Sequence, residues 1–369
     1  MSQFQRKIFQ KKLKEAEIKL GLSFDEEAAF ADDKPTEQSI DRTPEETIEK
    51  VDFTFWDKYF TENETFQDEE GNKFNTYYVP PLNNTSPVFV FHHGAGSSGL
   101  SFSLLAQELV SQMSDSKDAE SSQSICGVFS FDARGHGRSV INDETKDNYS
   151  ISNFTNDFIW LLKQLIAKKN LHRNSIFLVG HSLGGAILTK AICELNLSQI
   201  KGLSMLDIVE DTAINALKGM EIYMGNLPRS FKTLDQAIEW HVKSGIPHNK
   251  KSAEISIPSY FKFNSVTKNY QWVLDLNKTS PYWKDWFIGL SKNFVNAPGS
   301  KLLILAGTDN LDKDLMIGQM QGKYQLVVFQ DSGHFIQEDT PRKTAITLID
   351  FWKRNDKRQT TIKTNWGAN

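Results

Sequence analysis

Two rhythms of apolar and polar positions divide the chain. From Phe53 to Val79, short aromatic-rich runs flank Glu69-Glu70-Gly71-Asn72, which predicts an antiparallel hairpin; Pro80-Pro81 then interrupt it. Beyond them, continuous apolar runs recur at Val88–His92, Cys126–Phe131, Ser175–Val179, Gly202–Ile208, Lys301–Ala306 and Gln325–Phe329. Such runs fit strands buried on both faces. Helical spacing fills the intervals at Ser103–Met113, Asn153–Lys168, Gly184–Leu195 and Pro341–Trp352. Alternation of this kind predicts an α/β fold, a mostly parallel central sheet with helices on both faces.

From Glu210 to about residue 290 the rhythm stops. Helical patterns rich in Trp, Tyr and Phe take over, among them Trp240, Trp272, Trp283 and Trp286. An insertion between two strands at that point covers the carboxyl ends of the sheet, where ligands bind in such folds, so we read 211–290 as a helical lid. The expected organisation is a polar leader over 1–50, a core formed by 51–210 and 291–355, and a polar tail over 356–369. Residues 114–124 read as a polar surface insert.

Composition narrows the function classes. A net charge of −4 over 369 residues, with no basic stretch interleaved with aromatics, gives no reason to expect a nucleic-acid partner. No apolar run is long enough to span a bilayer. Cys126 and Cys193 sit in apolar runs and read as small buried hydrophobes rather than a disulfide or metal pair. So few cysteines fit a reducing compartment, and the expectation is cytoplasm and nucleus. Residues 1–14 carry five basic groups and no acid. A solvated helix or frayed terminus is the preferred reading there, and a mitochondrial presequence the alternative. No metal cluster, Walker loop or dinucleotide fingerprint occurs, so no cofactor is expected.

The chemistry begins at Gly180-His181-Ser182-Leu183-Gly184, between the β-rich run SIFLV and the helix-forming run GGAILTKAI. This is the nucleophile elbow of an α/β-hydrolase, G-x-S-x-G on a strand–turn–helix, with Ser182 as nucleophile. A serine hydroxyl needs a base. His334, in DSGHF after the last strand, stands where this fold places it. His136 and His181 are secondary candidates: the former reads as a tight-turn residue, the latter as facing away from the substrate side. Two aspartates end strands in the right interval for the acid, Asp207 and Asp309, with Asp312 and Asp314 nearby; pattern alone leans to Asp309. The oxyanion hole is expected from backbone amides of Leu183 and of Ala95, with Gly96 as the reserve, in the HHGAG loop after VFVFH.

Several segments go beyond the general elbow: MLDIVEDTAINAL, AIEWHVKSG, YWKDWFIGLS, LLILAGTDNLDKDLMIGQMQGKYQ and GHFIQED. With LVGHSLGGAI they make the chain, from about residue 88 to its last helix, resemble the protein phosphatase methylesterases, close to the fungal members. The resemblance implies that the acid is Asp207, in LDIVE, against the lean to Asp309. It implies a carboxylesterase that removes the methyl ester from the C-terminal leucine of the type 2A protein phosphatase catalytic subunit. That subunit would be both protein substrate and stable partner, and no organic cofactor would be needed. One departure is the loop HHGAGSSG, more glycine-rich in animal members. A small-molecule esterase, and a binding protein that holds the phosphatase with little turnover, are the competing readings.

Overall fold

The computed structural model describes residues 56–114, 126–142, 148–195, 197–308 and 310–356. The expected leader, nearly all of the polar insert and the tail beyond Asp356 lie outside these residues.

The predicted hairpin is present: β1 (Glu62–Gln67) pairs antiparallel with β2 (Lys73–Val79). At its turn Gly71 takes φ 86°, a conformation only glycine adopts freely. The alternating units follow as β3 (Val88–His92), α1 (Ser103–Ser114), β4 (Gly127–Phe131), α2 (Ile151–Lys168), β5 (Ile176–His181), α3 (Leu183–Glu194) and β6 (Ile200–Leu206).

A long excursion then leaves the sheet. It comprises α4 (Glu210–Asn226), β7 (Ser230–Phe231), α5 (Leu234–Lys243), α6 (Lys250–Ser256), β8 (Phe261–Asn264), β9 (Asn269–Trp272), α7 (Trp283–Phe287) and α8 (Leu290–Asn296). The chain returns through β10 (Ser300–Ala306), α9 (Lys313–Met320), β11 (Gln325–Phe329), α10 (Ile336–Asp339) and α11 (Pro341–Asn355).

The eight-stranded sheet has the order β1-β2-β4-β3-β5-β6-β10-β11. Only β2 runs against the others. The apolar runs are apolar throughout because alternate side chains enter two different cores. Val88 and Val90 of β3 join the cluster under α2 and α3, while Phe89 and Phe91 join the one under α1 and α11. Phe91 stacks on Phe102 with ring centroids 4.6 Å apart, a contact worth about 1 kcal/mol beyond its area.

The excursion is not purely helical, as its aromatic pattern suggests. Strands β7, β9 and β8 form a three-stranded antiparallel sheet over a small core of its own, with Phe231, Ile238, Ile257 and Phe261. The aromatic residues spaced there pack with one another: Phe261 lies against Trp272 and edge-on to Phe231. Among the described residues, no helix is long and apolar enough to cross a membrane.

Candidate active site

Ser182 sits between β5 and α3 with φ 51° and ψ −122°, a strained conformation for a residue with a side chain. The turn is tied at both ends. The Ser182 amide donates to the Leu206 carbonyl at 3.0 Å, and its own carbonyl accepts from Gly185 at 2.9 Å. Its glycines are obligatory for packing: a Cβ at Gly180 would lie 2.5 Å from the Gly185 nitrogen, and one at Gly184 would lie 2.2 Å from the His92 carbonyl oxygen. The backbones of β3, β5 and α3 thus close on one another directly beneath the serine.

His334 follows β11, and its Nδ1–H donates to Asp207 Oδ2 at 2.7 Å. Asp207 directly follows β6, next to β5, and takes φ 51°. Its other oxygen accepts the Ala306 amide at 2.8 Å, and its own amide donates to the Ile304 carbonyl. The aspartate is therefore fixed by β10 on one side and aimed at the imidazole on the other. Asp309 lies outside the described residues. Asp312 instead caps α9, accepting from Leu315, and Asp314 is exposed on the same helix. With Nδ1 engaged, Nε2 of His334 is the nitrogen left to exchange protons. Among the described residues, no hydrogen bond joins it to Ser182; such bonds commonly tighten only around bound substrate.

The loop after β3 packs onto the elbow. A Cβ at Gly94 would lie 3.0 Å from Ser182 Cβ. Of its expected oxyanion donors, Gly96 is already committed: its amide donates to His136 Nε2 at 3.0 Å. That removes Gly96 from the set of free donors. The amides of Ala95 and Leu183 donate to no acceptor among the described residues, and Leu183, at the first position of α3, has no intrahelical partner to find.

His136 is thus more than a turn residue. Its Nδ1–H donates to the Arg134 carbonyl at 2.8 Å, which leaves Nε2 as the acceptor that holds the loop. His93 grips the same loop, with Nδ1–H on the Gly94 carbonyl at 2.7 Å and Nε2 accepting from Ala133 at 2.9 Å. These bonds require neutral rings. Burial supplies that state, pushing His136 down to about 4 and His93 well below its ordinary range, with His136 adding to the latter. Nothing in sequence spacing joins positions 40 apart, although both histidines stand in glycine-rich turns after strands.

His181 does not face away from the site. Its ring lies 4.7 Å from the His334 ring and borders the cavity, and its Nε2–H donates to the His334 carbonyl at 2.8 Å. It braces the backbone of the histidine loop.

A cavity of about 940 Å³ opens over these groups. Ala95, Ser182, Asp207 and His334 line its floor, while Met220, Met224, Trp272 and Trp283 of the excursion line its walls. Among the described residues that line it there is no lysine or arginine. A strained serine, a carboxylate-oriented imidazole and two amides with no acceptor among the described residues, under apolar walls, suit acyl transfer from a neutral ester.

Comparison with known proteins agrees with this chemistry. The alpha/beta hydrolase family model matches residues 89–346. "Protein phosphatase methylesterase 1" of Candida glabrata is 47% identical over 325 residues, 85% of this chain and 82% of that protein. The Saccharomyces cerevisiae protein of the same name is also 47% identical, over 86% of this chain and 81% of its own length. That of Candida albicans is 40% identical over 98% of this chain and 96% of its own. Among solved structures, E-2-(acetamidomethylene)succinate hydrolase superposes with a TM-score of 0.60 at 17% identity, covering 79% of this chain and 99% of that one. A thioesterase domain from the curacin biosynthetic pathway gives 0.57 at 20% identity, covering 78% and 98%. At such identities these two speak to fold alone.

Proposed function

Because the chain belongs to the alpha/beta hydrolases and, among them, to the protein phosphatase methylesterases, we propose that it removes the methyl ester from the C-terminal leucine of the type 2A phosphatase catalytic subunit. It is a serine esterase acting on a phosphatase. The finer assignment, of subunit, leucine and catalytic roles, is our reading.

In that reading His334 Nε2 takes the proton from Ser182 Oγ as the oxygen attacks the ester carbonyl. Asp207 holds the imidazole through Nδ1 and stabilises its positive charge. The amides of Leu183 and Ala95 receive the oxyanion. As the tetrahedral intermediate collapses, the bond to the methoxy oxygen breaks and His334 returns the proton, releasing methanol. Water then attacks the leucyl-acyl enzyme, again losing its proton to His334. The carboxylate leaves and Ser182 Oγ is reprotonated. Apolar walls without a cation favour the neutral ester over the carboxylate product, which aids release. Of the two cysteines expected to be buried, Cys126 is and Cys193 is exposed; from so few cysteines in the chain we infer a reducing compartment, cytoplasm or nucleus.

The single observation that carries the reading is the 2.7 Å bond from His334 to Asp207 beside the strained Ser182. The test is release of labelled methanol from carboxyl-methylated phosphatase catalytic subunit. Wild type should release it and Ser182→Ala should not. A wild-type protein that binds the subunit without releasing methanol would sink the proposal.

A further inference from the structure

Glu338 is a carboxyl group buried completely, and no cation pairs with it among the described residues. Its Oε2 accepts from Ser252 Oγ at 2.9 Å and from Ser256 Oγ at 2.8 Å, both on α6 of the excursion. Among the described residues its Oε1 has no hydrogen-bond partner. Burying a carboxyl in this way is costly, and an apolar side chain of similar size would fill the space without that cost. Burial pushes its pKa up to about 8, against the hydroxyls of Ser256, Ser252 and Tyr260, which favour the charged form, and with the Asp339 charge adding to the rise. The neutral acid therefore predominates at pH 7.

Its neighbours share the work. Asp339 accepts the Gly333 amide, beside His334, at 2.9 Å, and the His248 amide of the excursion at 2.8 Å. The Glu338 carbonyl accepts from Asn249 Nδ2 at 2.9 Å. One short helix thus holds residues 248–256 against the loop of His334. That stretch continues into a 3-10 turn, Ile257–Tyr260, which reaches the other half of the site. Ser259 Oγ hydrogen-bonds Ser98 Oγ at 2.5 Å, and the Tyr260 hydroxyl bonds Ser97 Oγ at 3.0 Å. Ser97 and Ser98 directly follow Ala95 and Gly96 in the oxyanion loop.

We propose that Glu338 is a positioning residue for the esterase: by holding Ser252 and Ser256 it seats the 252–260 stretch, which through Ser259 and Tyr260 fixes the oxyanion loop against Ser182. The inference rests on the esterase reading. It makes the excursion a working part of the oxyanion hole and not only a wall of the cavity. A shift of about 1 Å in a reacting group costs on the order of 100-fold in rate, so a small change in this seat is large in turnover.

The test measures two quantities that need no phosphatase: the rate at which a small fluorophosphonate modifies Ser182, and kcat and KM for p-nitrophenyl acetate. Glu338→Ala should lose about tenfold or more in kcat and in labelling rate, with KM little changed. Glu338→Gln, whose amide oxygen still accepts both serine hydroxyls, should recover most of that loss. Tyr260→Phe keeps the ring packing and should lose several-fold at an unchanged melting temperature. If Glu338→Ala does not fold, Tyr260→Phe and Ser97→Ala decide the matter. Wild-type rates in these variants, with or without a lowered melting temperature, would overturn the inference. A wild type inert toward both reagents would instead overturn the esterase reading beneath it.

Discussion

The Asp207 carboxylate reaches the His334 imidazole at 2.7 Å across 127 residues of sequence, and it does so from a backbone at φ 51°. A non-glycine residue in that region costs about 1 kcal/mol. Here the conformation is held by the pairing of its amide to Ile304 and of its side chain to Ala306. Asn tolerates positive φ and keeps an oxygen for Ala306, so Asp207→Asn should fold as wild type does. It would lose the charge that stabilises the imidazolium and the acceptor that fixes its tautomer. We expect kcat to fall by about 10³- to 10⁴-fold, with a melting temperature within a few degrees of wild type. Methanol release and thermal unfolding read the two together. Full activity in Asp207→Asn, with activity lost in Asp309→Asn, would move the acid to the later strand.

The elbow makes a second prediction, in two opposite signs. A methyl group at Gly184 has nowhere to go, since 2.2 Å to the His92 carbonyl oxygen is far inside contact distance and both neighbours are backbone. Gly184→Ala should destabilise by more than about 4 kcal/mol, or prevent folding, through overpacking at a crossing of main chains. Gly225, exposed near the end of α4, has nothing within 4 Å of an added Cβ. Gly225→Ala should stabilise by about 0.5–1 kcal/mol through helix propensity. Denaturant midpoints of the two variants decide, and a tolerated Gly184→Ala would contradict the close approach.

The parts of this architecture legible in the sequence are those set by local chemistry. Strands such as VFVFH stand out because both faces are buried, and Ser182 because only a strand–turn–helix with two glycines can carry it. The three-stranded sheet of the excursion escapes because β7, β8 and β9 are two to four residues long, too short for a period of two to register. The choice of acid is ambiguous in one dimension, as Asp207 and Asp309 both follow strands. The geometry at Asp207 comes from β6 lying between β5 and β10. The role of His136 depends on a contact between loops 40 residues apart and that of Glu338 on one between helices 82 residues apart, and no local pattern encodes those.

The tie from His136 to Gly96 yields a third prediction. Removing the ring frees the Gly96 amide and loosens the peptide that presents Ala95. The oxyanion is bound more tightly in the transition state than the ester oxygen is in the ground state, so the loss should fall on kcat and spare KM. We expect His136→Ala to lose about 10- to 100-fold in kcat, toward the size seen when one oxyanion donor is removed outright. Steady-state kinetics on methylated phosphatase would check it. A loss confined to KM would mean that His136 shapes the cavity instead.

The buried titratable groups predict how stability depends on pH, with two opposite signs. Burial pushes His92, His136 and His241 down to about 4, while in the unfolded chain they titrate near 6.5. Above that value they are neutral in both states and cost nothing. Between about 6.5 and 4 the unfolded chain takes up protons that the fold excludes, so stability falls as the pH falls. Each group contributes up to roughly 1.4 kcal/mol per pH unit across that window. Glu338 acts the other way. Its folded pKa is raised to about 8 from an ordinary 4.5. Below 4.5 it is protonated in both states; as the pH rises from there to about 8 the unfolded chain ionises while the fold does not, and stability is lost. Glu338→Gln cannot ionise and should escape only that second loss. The difference in melting temperature, variant minus wild type, should therefore grow between pH 5 and pH 8; from pH 6.5 to 4 both proteins carry the same histidine loss, which in wild type alone is offset by the stability that Glu338 regains as the pH falls towards 4.5. An equal difference at pH 5 and pH 8 would mean that Glu338 is already ionised in the folded protein.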